Sequence, residues 1–258
     1  PAVLPNLSQW LDYNIHDGDI KEGTFLYSGY IGKNAPKESL TLQLYLDIED
    51  ARLSYLPGWP QLSDVNAKLM LNSPAVDIWL HSADTLGGEL VTNSGRIRVR
   101  TGANKIPWMT IKGDIKGSAQ EGLEYLQTTP LREQLNNGFD KWRAGGQLQS
   151  KFYARIPLAQ PAKHGPHNNR LIPKIRLTSD LDNVDLSILD LNVELKDIAG
   201  QIKFDSETGL SSENLASHIF GGDILAKIHS EKVNDNFEIS IEAKGQAKVD
   251  AIKAWQPV

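Results

Sequence analysis

The sequence predicts a mostly β fold: an elongated, curled antiparallel sheet, shaped as a half-pipe or groove, built from repeats and capped by a few short α-helices. Two observations predict it. Apolar and polar residues alternate at every second position over many stretches, which is the pattern of strands with one buried face. Short strings also recur at nearly constant spacing, which is typical of folds in which each repeat packs on its neighbour.

Three pairs of strings carry the repeat, at offsets of 135, 133 and 134 residues. The pairs are LDIED at 46–50 with LDNVD at 181–185, LSDV at 62–65 with LKDI at 195–198, and GGEL at 87–90 with GGDI at 221–224. We therefore predict a first β-groove unit over 1–117 and a second over 118–249 that begins with helices. Residues 250–258 are expected to be the truncated start of a further unit.

Each unit is expected to begin with a short helix, and the strand that follows is expected to start at a glycine, Gly23 or Gly146. The helix starts have capping residues at the required spacing, or a proline in the first turn. The predicted starts are Asn6 with Gln9, Ser118 with Glu121, Thr129-Pro130, and Asp250 in the segment that ends at Trp255. An Asn137-Gly138 pair predicts the end of the helix that starts at Thr129-Pro130.

Strands are predicted wherever the alternation is strict. These stretches are Leu40–Ile48, Val76–Leu80, Ile97–Val99, Met109–Ile111, Leu189–Leu195 and Phe237–Ala243. A long polar loop with three prolines is predicted over 160–174. A strand with one apolar face must pack that face against another element. The few short helices are not enough to pack against all of these strands. The sheet must curl on itself, meet a second sheet, or bind an apolar ligand.

Composition narrows the function. The net charge of -5 disfavours nucleic acid as a partner, and the lack of cysteine removes disulfides, thiolate metal sites and thiol nucleophiles. Cysteine usage of this kind fits the cytoplasm or a Gram-negative periplasm. No apolar stretch reaches the roughly 20 residues of a membrane-spanning helix. The start at Pro1, without a signal peptide, leads us to expect a segment of a longer protein.

The sequence contains no strong local motif for metal binding, phosphate binding or catalysis. His16 beside two aspartates is interpreted as a turn, and His164 with His167 as a solvated loop, so no metal or cofactor is expected. No phosphate-binding loop and no nucleophile elbow is found. The string Tyr55–Pro60 fixes Trp59 between prolines, either as a corner that plugs one end of a unit or as a contact for a lipid or partner.

The chain resembles the AsmA-like envelope proteins, most closely those of the YhdP type. The resemblance lies in Tyr55–Pro60 followed by Leu62, Gly87-Gly88, Gly200–Phe204, Phe220-Gly221-Gly222, and Pro130-Leu131 ahead of Gly145-Gly146. It implies a middle section of a periplasmic half-pipe, anchored to the inner membrane by a segment not in this chain. Such a half-pipe would carry phospholipid acyl chains toward the outer membrane, with no catalytic residue.

Under this resemblance the partners are phospholipid acyl chains, neighbouring repeat units of the same chain and envelope proteins at either membrane. The inward apolar face would be formed by Leu42, Leu44, Leu46, Ile78, Leu80, Leu189, Leu191, Val193, Ile224, Ile228, Ile239 and Ile241. Two other hypotheses stay open. One is a scaffold or outer-membrane assembly factor with a closed β core. The other is an enzyme with carboxylates that converge in a cleft, although Asp47 and Glu238 alternate onto the polar side of their strands.

Overall fold

The computed structural model describes residues 13–30, 41–55, 57–86, 88–102, 106–158, 172–234 and 236–256. Within these ranges the chain forms one antiparallel sheet of 13 strands with three short helices. The predicted class, a mostly β protein built on a curled antiparallel sheet with few helices, is confirmed.

The strands follow the chain in order. They are β1 Ile15–Ser28, β2 Thr41–Leu53, β3 Leu62–Asn72, β4 Ala75–Thr85, β5 Gly88–Leu90, β6 Gly95–Thr101, β7 Pro107–Ser118, β8 Trp142–Pro157, β9 Lys174–Ile188, β10 Val193–Asp205, β11 Gly209–Ile219, β12 Gly222–Val233 and β13 Asn236–Gly245. The helices are α1 Ala119–Thr128, α2 Leu131–Gln134 and α3 Val249–Ala254.

The sheet is an up-and-down meander in which each strand pairs with the next, and β1 and β13 form its two edges. One position departs from this rule, because β5 and β6 together occupy the place between β4 and β7. Across the break between them, the backbone N–H of Val91 donates to the Asp114 carbonyl at 2.8 Å and that of Asn93 to the His81 carbonyl at 3.0 Å. The meander is therefore continuous from edge to edge.

The sheet curls because its strands carry bulges at recurring positions. Asp50 and Asp64 have φ of 52° and 50°, and Asn183 and Asp197, each 133 residues later, have φ of 54° and 53°. The strand pairing shifts register beside them. Asp and Asn tolerate this left-handed backbone better than other side chains do, and a bulge bends its strand. Gly146 lies opposite one of them, where a Cβ would come within 2.8 Å of the Asn183 carbonyl oxygen.

The helix predictions are met wherever they fall on described residues. Ser118 caps α1: its hydroxyl accepts from the Glu121 N–H at 3.2 Å, and the Glu121 carboxylate accepts from the Ser118 N–H at 2.8 Å. Helix α2 follows Thr129-Pro130, and α3 begins at Val249, one residue before the predicted start at Asp250. The helix predicted at Asn6 lies outside the described residues, as does the polar loop up to residue 171.

Two details of the strand prediction are wrong. The strands expected to start at Gly23 and Gly146 begin earlier, at Ile15 and Trp142. The strand expected from Leu189 begins at Val193, because residues 189–192 form the turn between β9 and β10. The boundaries of the repeat units stay a prediction, since a single sheet runs through both.

Candidate functional site

One face of the sheet, which we call the inner face, is covered by rows of aliphatic side chains. Strand register places every second residue on this face and aligns it with a residue of the next strand. One row consists of Leu46, Leu69, Ile78, Ile97, Ile111, Ala154 and Ile175. A second row consists of Phe25, Leu44, Leu71, Val76, Val99, Met109 and Ile156. The two rows contain no charged side chain.

The inner face is buried at its centre and exposed at its edges. Val65, Val99 and Met109 are each 2% exposed, as in an ordinary protein core. On the β1 edge, in contrast, Ile20 and Phe25 are 62% and 63% exposed. The aliphatic surface thus continues from a buried interior to solvent without a polar border between them.

Two apolar cavities lie along this face. The larger, about 250 Å³, is lined by inner-face residues of β1 to β7, among them Leu44, Ile78 and Met109. The smaller, about 120 Å³, lies between α1 and the sheet. Leu80 lines both cavities, so they follow one another along the same surface. We call the inner face together with these cavities the trough.

A helical segment crosses the trough, and we call residues 119–141 the strap. Helix α1 packs on β7 and β8, and α2 reaches β13. On one side the Tyr125 hydroxyl is hydrogen-bonded to Thr85 Oγ1 at 2.6 Å. On the other side Asn136 donates to the Phe237 carbonyl at 3.0 Å and accepts from Asn236 at 2.8 Å. The strap is therefore fixed to strands at both ends.

Apart from the smaller cavity, the second half of the inner face is filled beneath the strap. Apolar side chains of the strap pack against those of β10, β11 and β13 in one cluster, formed by Leu123, Leu131, Leu135, Phe139, Phe204, Leu210 and Phe237. Leu135 and Phe237 are each 2% exposed. The trough is consequently open at its β1 edge, holds the larger cavity in its first half and is covered by the strap in its second.

Charged groups lie on the opposite, outer face. Asp77 accepts from Arg96 at 3.1 Å, lies 3.4 Å from Arg98 and also pairs with Arg100. Burial alone would raise the pKa of Asp77, but hydrogen bonds from Arg100 and Arg96 outweigh it and hold the pKa below its usual range. In the trough, burial and then the neighbouring Tyr125 raise the pKa of Tyr55 far above its usual range. The Tyr55 phenol therefore remains neutral.

Ten of the twelve predicted site residues lie on the inner face. Leu44, Leu46, Ile78 and Leu80 line the larger cavity, and Leu42 packs against the same cluster. Val193, Ile224, Ile228, Ile239 and Ile241 lie on its continuation by strand register. Leu189 and Leu191 do not belong to it: they lie in the turn between β9 and β10, 46% and 48% exposed.

Sequence reasoning missed most of the centre of the trough. Val65, Ala67, Leu69 and Leu71 on β3 alternate as strictly as any predicted strand, so the signal was available. The residues of the strap that line the smaller cavity, such as Tyr125 and Leu126, carry no comparable signal because their partners lie far away in the sequence.

The described residues contain no group of three or more metal-ligating side chains. His16, one of the sequence candidates, has its Nε2 2.8 Å from Ser54 Oγ, whereas His164 and His167 lie outside the described ranges. No helix in the part of the chain that the structure describes is long and apolar enough to cross a membrane.

Comparisons with known proteins point in one direction. The family model described as "YhdP protein" matches residues 1–258. The chain is 22% identical over 255 residues to the "Intermembrane phospholipid transporter YhdP" of Escherichia coli (strain K12), an alignment that covers 98% of this chain and 18% of that protein. The chain therefore spans less than a fifth of this relative's length. No solved structure matches the chain.

Proposed function

The chain belongs to the YhdP protein family, and from this premise we propose that it is a segment of a bridge-like lipid transport protein. In this role it conducts phospholipid acyl chains along the trough, between the inner and the outer membrane. The observation that carries the proposal is the unbroken aliphatic surface that runs across the strands and contains a cavity of about 250 Å³.

The physical advantage of such a surface is large. Each CH₂ group that leaves a bilayer for water costs about 0.8 kcal/mol. Neighbouring strands lie about 4.8 Å apart, and each presents an aliphatic side chain at the same level of the row. A hydrocarbon chain that moves from strand to strand meets a similar surface at every step, so no single position holds it strongly. Movement along the trough then requires no chemical step and no catalytic residue.

The relative's length supports a place for this chain within a longer protein. We propose a periplasmic location, with an inner-membrane anchor outside this segment. Backbone groups at the outer edges of β1 and β13 have no strand partner among the described residues. They are the positions at which neighbouring repeat units of the same chain would continue the sheet. Envelope proteins at either membrane are the remaining proposed partners.

Two observations speak against the alternatives. A closed-core scaffold calls for a filled inner face, whereas the first half of the trough holds the larger cavity and exposes Ile20 and Phe25. An enzyme calls for carboxylates that converge. In contrast, the candidates Asp47 and Glu238 lie on the outer face of different strands, opposite Lys68 and Glu231, and not in the trough.

Photo-crosslinking in the full-length protein tests the proposal. A photoreactive amino acid replaces Leu44, on the inner face, or Thr41, three residues earlier on the outer face of the same strand. Cells grown with radioactive phosphate are irradiated, and the protein is isolated and examined for label. We expect labelled lipid at Leu44 and none at Thr41. Equal labelling at both positions, or labelling at Thr41 alone, would refute the proposed role.

A further inference from the structure

The strap stands in the path of any hydrocarbon that follows the inner face. The larger cavity ends at Leu80, and the smaller cavity begins there and continues beneath α1. Farther along, Leu135 and Phe139 fill the inner face against Phe204 and Phe237. A chain that moves from β1 toward β13 therefore has to pass below the strap or displace it.

The cavity beneath α1 is built for a hydrocarbon segment. Its floor consists of inner-face residues such as Ile111, Phe152 and Leu177, and Leu126 of α1 contributes to its roof. Because most of the surface of the cavity is apolar, a hydrocarbon that enters removes its CH₂ groups from water. The cavity measures about half of the larger one, which suits one chain at a time.

The polar and charged side chains in the cavity wall have partners: the Glu121 carboxylate accepts from the Ser118 N–H at 2.8 Å, and the Lys112 ammonium lies 5.6 Å from the centroid of the Tyr153 ring. Tyr125 is hydrogen-bonded to Thr85 at 2.6 Å, with the Tyr55 hydroxyl 3.4 Å away. Ser150 is hydrogen-bonded to Ser179 at 2.7 Å. A charged head group that entered would lose its water in a cavity whose hydroxyls are already paired with one another, at a cost of several kcal/mol. The wall thus excludes head groups and admits only the tail.

The strap is held to the sheet by neutral and apolar contacts. Its hydrogen bonds to the strands join neutral groups: Tyr125 to Thr85, Asn136 to Asn236 and Phe237, and Gln120 and Gln127 to Ala144 and Trp142 of β8. The remaining contacts are apolar ones, made by the strap residues of the buried cluster. An acyl chain beneath the strap would replace these apolar contacts with contacts of the same kind, so lifting the strap leaves no charge unpaired.

We infer that the cavity beneath α1 is a binding site for one acyl chain of a lipid, and that the strap must lift for that chain to move on. This inference rests on the proposed function and adds to it a position at which lipid pauses. The head group remains outside the cavity, so the site selects for a hydrocarbon tail and is indifferent to the chemistry of the head.

The site is tested first by photo-crosslinking in the full-length protein, with radioactive phosphate as the label. The photoreactive residue is placed at Leu126 in the roof, at Phe152 in the floor, or at Leu46 in the open trough as a reference. We expect labelled lipid at all three. Label at Leu46 with none at Leu126 or Phe152 overturns the binding site and leaves the proposed function standing. No label at any of the three overturns both.

The movement of the strap is tested by locking it. This segment has no cysteine, so in a full-length protein whose other cysteines, where present, are replaced by serine, the double variant Asn136→Cys/Asn236→Cys can be joined selectively by a short bismaleimide. The control pair is Glu231→Cys/Glu238→Cys, which joins β12 to the same strand β13 on the outer face. The full-length variants are treated in cells, and arrival of labelled phospholipid in the outer membrane is followed.

We expect transport to stop when the strap is joined to β13 and to continue when the control pair is joined. The strap variant without the reagent should transport, which shows that it folds. Unchanged transport with a fully joined strap overturns the need for the strap to lift, and loss of transport in the joined control does the same.

Discussion

A single carboxylate in the open half of the trough should stop lipid movement. Leu44 lies on the inner face, and its cross-strand neighbours are Phe25 and Leu71, so an aspartate introduced there has no cation to pair with in its row. The carboxylate stays hydrated, so an acyl chain that passes this strand meets water instead of an apolar side chain. About 4.8 Å of hydrocarbon, roughly four CH₂ groups, faces one strand. At about 0.8 kcal/mol for each CH₂ that loses its apolar contact, the barrier rises by about 3 kcal/mol.

A barrier of that size slows passage by about a hundredfold, since 1.36 kcal/mol is a factor of ten. The assay compares Leu44→Asp with Thr41→Asp, which adds the same charge to the outer face of β2. Both are made in the full-length protein, and arrival of labelled phospholipid in the outer membrane is measured at equal protein levels. Equal transport by the two variants would refute the reasoning, because it would mean that acyl chains do not touch the inner face at Leu44.

The pH dependence of this variant gives an internal check. Burial disfavours the charged form of a carboxyl group and raises its pKa. Acidification therefore protonates the new side chain, and transport by Leu44→Asp should partly recover. The isosteric Leu44→Asn does not titrate and should show no recovery. The stability of Leu44→Asp should also rise as the pH falls through the raised pKa, because the folded state then binds more protons than the unfolded state.

Three predictions concern stability, measured by urea unfolding of the purified chain. Met109→Ala should cost about 2–3 kcal/mol, the lower part of the usual range because Met109 already borders a cavity, whereas the exposed Met70→Ala should cost almost nothing; equal losses would contradict the inner-face assignment. Ser118→Ala removes the cap of α1 and should cost about 1 kcal/mol, so an unchanged midpoint would contradict the capping geometry. Asp77→Asn should cost about 1 kcal/mol at neutral pH. Because the pKa of Asp77 is depressed in the folded state, this difference should disappear as the pH falls below 4 and through that depressed value; a difference that persists there would contradict the ion-pair account.

The inner face was predictable because alternation at a period of two is a direct imprint of the strand on the sequence. This alternation puts Leu46 and Ile78 on the apolar side of their strands, and both lie on the inner face. The same rule failed at Leu189 and Leu191. The apolar alternation there runs past the end of β9 into the turn, and a periodic pattern carries no information on where backbone pairing stops. The better signals were Asp190 and Asn192, the latter with φ of 48°, since such residues favour turns.

The strap shows a different limit. Its start was legible in the sequence because a capping box is made of residues three positions apart. Its docking was not, since the Tyr125–Thr85 bond joins residues 40 positions apart and the Asn136–Phe237 bond joins residues 101 apart. Local rules determine that a helix forms, and long-range geometry determines what it covers. The sequence alone therefore did not predict which half of the trough the strap covers.

The curvature of the trough has a local origin as well. The bulge residues Asp50 and Asn183, like Asp64 and Asp197, recur 133 residues apart. Asp64 and Asp197 hold the same place in the strings LSDV and LKDI, whereas Asp50 and Asn183 lie within LDIED and LDNVD, two places apart in the alignment of those strings. In a strand interior a short polar residue normally weakens pairing, so its recurrence at matched positions calls for a geometric reason. A left-handed residue in β2, β3, β9 and β10 bends these four strands at corresponding levels of the two halves, which curves the face that carries the aliphatic rows. The sequence repeat and the shape of the trough are thus two consequences of the same few residues.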